Sequence, residues 1–100
     1  MKTFEVEILR SAKLDIFQAK KWYNLQKYDL GNEFVEEVEK AYDRVKLNPY
    51  QFPKTRKDIR KLTLERFPYC LYFVIEPNII RIFAVFHNSR NPVIWEGRMQ

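Results

Sequence analysis

The sequence predicts an α+β fold in which a helical hairpin packs on one face of a small, mostly antiparallel sheet. Three observations predict it. Apolar residues alternate with period two near the N-terminus, recur at spacings of three and four through the next forty residues, and return to period two from Ile59. The two helical stretches are joined by a short connection, which favours an antiparallel hairpin. The last two strand-like segments are apolar at nearly every position, as in central strands covered on both faces.

Residues 3–9 place Phe4, Val6 and Ile8 on one side and Thr3, Glu5 and Glu7 on the other, a half-buried strand. Ser11 offers an N-cap for a helix running to about Tyr28. Along it, Ala12, Ile16, Ala19 and Tyr23 form one stripe. Leu14, Phe17, Leu25 and Tyr28 form a second on roughly the opposite side, so this helix is expected to lie sandwiched between neighbours. Leu30-Gly31-Asn32 reads as a break, and a second helix is expected from Glu33 to Asn48. Its stripe is Phe34, Val38, Ala41, Tyr42 and Val45. Glu33, Glu36 and Glu37 near its start and Arg44 and Lys46 near its end suit the helix dipole, and Pro49 stops it.

Residues 49–58, with Pro49, Pro53 and several charges, read as a surface loop. From Ile59, Leu62 and Leu64 share one side with Arg60 and Arg66, while Lys61, Thr63 and Glu65 take the other. Phe67-Pro68 leads into a strand over Tyr69–Ile75, and Glu76-Pro77-Asn78 turns into another over Ile79–Phe86. Short turns make these three an antiparallel meander. The predicted order is β-α-α-β-β-β, followed by a polar tail from His87 to Gln100 with no assignable period.

Composition narrows the class. One hundred residues, 46% apolar with sixteen aromatics and two glycines, suit one domain over residues 1–100 and not a disordered linker. The longest apolar stretch, Ile79 to Phe86, contains Arg81 and falls far short of the ~20 residues that span a bilayer. Met1-Lys2 followed by Glu5 and Glu7 does not read as a secretory signal. A lone Cys70 allows neither an internal disulfide nor a cysteine zinc cage. A cytoplasmic protein with no membrane partner, no metal and no cofactor is expected.

The net charge of +5 is unevenly placed. Residues 1–53 hold nine Lys/Arg and nine Asp/Glu, whereas residues 54–100 hold nine against four. Six basic residues fall within 54–66 alone: Lys54, Arg56, Lys57, Arg60, Lys61 and Arg66. A basic half points to an anionic partner, either nucleic acid or an acidic protein, against the plainer reading of a solvated surface.

His87, the only histidine, directly follows the strongest strand. It is the side chain suited to proton transfer near neutrality, or else a strand-end residue whose ring satisfies backbone groups. Arg66, Arg81 and Arg90 lie near strand ends. Together with His87 they would suit a phosphodiester: metal-free RNA cleavage needs a base, an acid and cations for the developing phosphorane charge. Arg81 interrupts an apolar strand, so it is expected to face an open concave surface rather than to sit in a buried ion pair. Trp22, Tyr23, Phe67, Tyr69, Tyr72 and Trp95 could stack bases, although aromatics at such spacing also build cores. Glycine-rich phosphate loops, serine nucleophile elbows and paired metal carboxylates are absent from the sequence.

The Tyr23 neighbourhood, Leu30-Gly31 with Phe34, and Asn48-Pro49 resemble the RelE/ParE superfamily of bacterial toxins. So do Arg60-Lys61-Leu62, Arg66-Phe67-Pro68-Tyr69 and Ala84-Val85-Phe86-His87 with Arg90, Pro92, Trp95 and Arg98. The resemblance covers nearly the full chain and extends to proteins labelled plasmid-stabilisation proteins. It implies the toxin of a type II toxin–antitoxin module, inhibiting growth and neutralised by a cognate antitoxin with an acidic segment, in a hetero-oligomer. RelE-like members cut messenger RNA on the ribosome, and ParE-like members inhibit DNA gyrase. Tyr69 stands where ribosome-dependent nucleases carry an Arg, and Trp95 where RelE-like proteins place a catalytic Tyr. The resemblance therefore leans towards gyrase, with Arg60, Lys61, Arg90 and Arg98 expected to contact the target. Should the chain be an mRNA endonuclease instead, His87, Arg66 and Arg81 would be its catalytic residues.

Overall fold

A computed structural model describes residues 3–90. Along them run β1 (Val6–Ile8), α1 (Arg10–Gln26), α2 (Leu30–Leu47), a single 3-10 turn (Pro49–Gln51), β2 (Lys54–Arg56), β3 (Ile59–Thr63), β4 (Tyr69–Ile75) and β5 (Ile80–His87). The five strands form one sheet in the order β1-β5-β4-β3-β2. β1 runs parallel to β5, and every other neighbouring pair is antiparallel. The α+β class and the helical hairpin follow the sequence reading, with one strand added.

The hairpin covers one face. Phe34, Val38, Ala41 and Val45 of α2 share a core with Leu62, Leu64, Leu71, Phe73, Ile80, Ile82 and Val85 of the sheet side. Phe34 and Phe73 are completely buried. Burial of each such side chain is worth about 1.5–3 kcal/mol, so this layer accounts for much of the drive to fold. The opposite face is also closed: Ile59, Cys70, Tyr72, Phe83, Ala84 and Phe86 form a second buried cluster. The open concave surface expected for Arg81 is not what this face of the sheet presents.

Four local readings change. Residues 54–56, read as loop, form an edge strand that pairs with β3 through Lys54↔Arg60 and Arg56↔Ile59. All three residues are exposed, so no apolar period marks them, and their charges suit an unprotected edge. Ser11 is not the cap of α1. Leu9 is, and the Ser11 hydroxyl instead donates to the carbonyl of Phe83 at 2.7 Å. Leu30-Gly31-Asn32 does not interrupt the helices but opens α2. The chain reverses one residue earlier, where Asp29 takes the left-handed conformation at φ 64°. Finally, α1 buries only one of its two apolar stripes. Ala12 and Ala19 are enclosed, while Leu14, Phe17 and Leu25 stand exposed.

β1 is short, and beyond Ile82 it leaves one edge of β5 without a strand partner. The start of α1 supplies the missing partners. Leu9 N–H donates to the Ile82 carbonyl at 2.9 Å, Ser11 donates to Phe83, and the buried carboxylate of Asp15 accepts from Val85 N–H at 3.0 Å. Ser11 and Asp15 are one helical turn apart, as Phe83 and Val85 are one strand repeat apart. The helix is thus bonded to the sheet as well as packed on it.

Candidate functional site

One backbone irregularity sets up the site. β4 and β5 pair through Tyr72↔Ala84 and then Phe73↔Ile82, so Phe83 is an extra residue in β5. A bulge of one residue reverses the side to which all later residues point. Ile80 and Ile82 face the helices before it. After it Val85 does so, while Ala84 and Phe86 join the opposite cluster. His87 therefore emerges on the helical side, opposite Tyr69. Without the bulge it would stand on the other face.

There, at the ends of β4 and β5, a cleft of about 220 Å³ opens against α1. Gln18 and Trp22 form its helical wall, Tyr69, His87 and Arg90 its strand-end wall, and Asp15, Ala19 and Val85 its base. The Tyr69 and His87 rings meet edge to face at 5.3 Å. Beneath them Tyr69 packs on Phe34 at 5.0 Å, and Tyr23 packs on Phe67 at 4.9 Å. Interlocked rings of this kind hold the rim in one geometry.

The residues after β5 are tied down as well. Asn88 N–H donates to the Pro68 carbonyl at 2.8 Å, and its side-chain oxygen accepts from the Cys70 thiol at 2.9 Å. His87 Nδ1 accepts from Ser89 N–H at 3.0 Å, with the Ser89 hydroxyl 2.8 Å away. That acceptor role assigns the neutral ring proton to Nε2. Burial pushes the Tyr69 phenol above its ordinary value, with Asp15 adding to the rise and the Arg90 guanidinium opposing it. The Arg90 guanidinium also lies over the Phe86 ring at 4.5 Å, a cation–π contact that holds its charged head against the end of β5.

The structure brings His87 and Arg90 together and leaves the other sequence-predicted cations elsewhere. Arg66 pairs with Glu33 of α2 at 2.6 Å, and that hydrogen bond, with neighbouring carboxylates, holds its guanidinium charged. Arg81 sits between Glu7 and Glu76, binding the latter at 2.6 Å. It lies six residues before His87, roughly 20 Å along the strand. Arg81 is therefore an ion-paired surface residue of the sheet, not part of an open concave site. Arg60 donates to the Phe52 carbonyl at 2.7 Å and lies over Tyr50, closing the 3-10 turn against β3. Lys61 is half-buried opposite Tyr72. Arg98 and Trp95 lie outside the described residues. Trp22, Tyr69 and Gln18 join the cleft only in three dimensions. For Trp22 the sequence signal was present, an aromatic off the buried stripe of its helix.

A helical hairpin on a sheet ordered β1-β5-β4-β3-β2, with a cleft at the ends of its central strands, is an architecture shared with chains of solved toxin–antitoxin complexes. A chain of the chromosomal ParDE toxin–antitoxin system from P. aeruginosa superposes with a TM-score of 0.76 at 19% identity, covering 84% of this chain and 95% of that one. A chain of the toxin–antitoxin complex RelBE2 from Mycobacterium tuberculosis superposes with a TM-score of 0.63 at 17% identity, covering 90% and 97%. These likenesses concern the fold. By sequence, residues 6–92 match the ParE toxin of type II toxin–antitoxin systems, parDE, and the chain belongs to that family. No curated protein matches it.

Proposed function

We propose that this ParE-family toxin arrests growth by binding DNA gyrase and that an antitoxin with an acidic segment holds it in check. One observation carries the preference for binding over cleavage: the cations needed to stabilise a phosphorane do not converge on His87. Arg66 and Arg81 are each engaged by carboxylates, and Arg90 is the cation among the described residues that line the cleft. Metal-free cleavage relies on preorganised charge where the transition state develops it, and ion pairs to Glu33, Glu7 and Glu76 direct that charge elsewhere. In the proposal the cleft is a recognition surface, with Trp22 and Tyr69 as rigid aromatic contacts and Arg90 as a charged one.

The second reading, a ribosome-dependent mRNA endonuclease, draws on the pairing of His87 with Arg90 beside the exposed Trp22. In it His87 is the acid or base and Arg90 the phosphate contact. The two readings part in a paired assay. Purified protein should block supercoiling by gyrase and leave ribosome-bound message intact, and His87→Ala should then retain growth arrest. Message cleavage that disappears in His87→Ala, with supercoiling untouched, would replace the first reading by the second.

A further inference from the structure

Nothing in the pattern of β5 itself fixes where the strand shifts. Ile82-Phe83-Ala84-Val85-Phe86 is apolar at every position, and both faces of the sheet are buried there. A ladder without the bulge would send Ala84 and Phe86 towards the helices and Val85 to the opposite cluster, exchanging one apolar set for another. The polar residue that changes sides is His87, which carries the site. A feature other than hydrophobic patterning must therefore select the bulged register.

The start of α1 does so through backbone groups. In a regular strand the N–H and C=O of successive residues point to alternate edges. Ile80 N–H, bonded to the Glu5 carbonyl at 2.9 Å, and the Ile82 carbonyl, bonded to Leu9 N–H, follow that alternation. Phe83 breaks it: its carbonyl lies on the same edge as that of Ile82, where the Ser11 hydroxyl reaches it at 2.7 Å. Two residues on, Val85 N–H points to that edge again and meets the Asp15 carboxylate at 3.0 Å. Without the bulge, Phe83 and Val85 would turn these groups towards β4, and Ser11 and Asp15 would lose both partners. Asp15 is buried and forms part of the base of the cleft, so it stands between the bulge and the site.

We infer that Ser11 and Asp15 are positioning residues of the cleft: together they select the bulged register of β5 and so hold His87 on the helical side, against Tyr69. This role rests on the reading of the cleft as the toxin's working surface, and adds what builds it. A helix with alanine at both positions would still bury Ala12 and Ala19 against the sheet, yet it would not distinguish the two registers. The polar pair supplies that distinction because each of its bonds is available in one register only.

The test uses the full chain, labelled for NMR, with potency read as the toxin concentration that halves supercoiling by gyrase. In the wild type the His87 and Tyr69 rings, 5.3 Å apart, should show a ring-to-ring nuclear Overhauser effect. Asp15→Ala should abolish that signal and raise the half-inhibiting concentration by about tenfold, the loss expected when a central contact leaves an interface. Ser11→Ala should weaken both. Asp15→Asn, which keeps an acceptor oxygen for Val85 N–H, should preserve both. Val45→Ala separates register from stability: it opens the α2 core, so it should lower the melting temperature and leave the ring signal and the potency unchanged. A folded Asp15→Ala that keeps the ring signal overturns the role, as does loss of the signal in Asp15→Asn or in Val45→Ala. Should Asp15→Ala fail to fold, Ser11→Ala decides, and an unaltered signal and potency there overturn the role. Wild-type protein that leaves supercoiling untouched sinks the gyrase reading alone, because the ring signal still reports the register. A lost signal with potency intact sinks the cleft as the working surface and leaves the register selection standing.

Discussion

Gly31 shows how one residue can be placed by a contact that local rules do not describe. It lies in the first turn of α2, where a side chain would run into the Lys20 carbonyl and approach Asn24 Cγ to 2.6 Å. Its N–H also donates to Asn24 Oδ1 of α1 at 2.6 Å. The glycine is needed for close approach of two helices, not for chain reversal. Gly31→Ala should destabilise the fold by about 1–3 kcal/mol, read as a lower urea midpoint, since overpacked contacts of this kind cost that much. Asp15 supplies a second expectation. Removing its carboxylate leaves Val85 N–H buried without that acceptor, so Asp15→Ala should cost about 1.5–3 kcal/mol, while Asp15→Asn, which keeps an acceptor oxygen, should cost less in the same denaturation experiment.

Among the elements, α1, β4 and β5 meet in the aromatic cluster below the cleft, and that cluster makes stability depend on alkaline pH. Burial raises the Tyr69 phenol, and burial followed by the Tyr69 neighbour raises Tyr23. An unfolded tyrosine loses its proton near pH 10. Above that pH the unfolded chain releases protons that the folded chain still holds, so the tyrosines' contribution is complete below about pH 10 and is lost as pH rises through the folded values. Melting temperature followed from about pH 8 to 11 should decline at the upper end, and Tyr69→Phe should flatten the decline. A slope unchanged in the variant would place the alkaline sensitivity elsewhere.

Across the described residues, two arginines tie separate elements together through ion pairs. Arg66 fastens the β3–β4 connection to α2, and Arg81 fastens β1 and the β4–β5 turn to β5. Arg66→Gln and Arg81→Gln should each preserve growth arrest while shifting the melting temperature only slightly, because exposed pairs contribute little. Loss of arrest in a folded variant would return these arginines to the site. His87 and Arg90 were legible as candidates because they follow a strong strand, and the helical stripe of α2 announced the core it enters. The cleft itself was not legible, since Gln18 and Trp22 of α1 meet Tyr69 and His87 from strands that begin more than forty residues further along the chain.

By itself the sequence determined the α+β class, the antiparallel hairpin of helices, the meander, and the apolar faces of α2, β4 and β5. These depend on spacing within a few turns or strand repeats, where geometry is local. Only the tertiary structure decided that Phe83 bulges and turns His87 towards α1. It likewise decided that Ser11 and Asp15 complete an edge of β5, and that three arginines read as a cationic surface are held by carboxylates or carbonyls. Each of those outcomes depends on a partner remote in sequence, so no period along the chain could carry it.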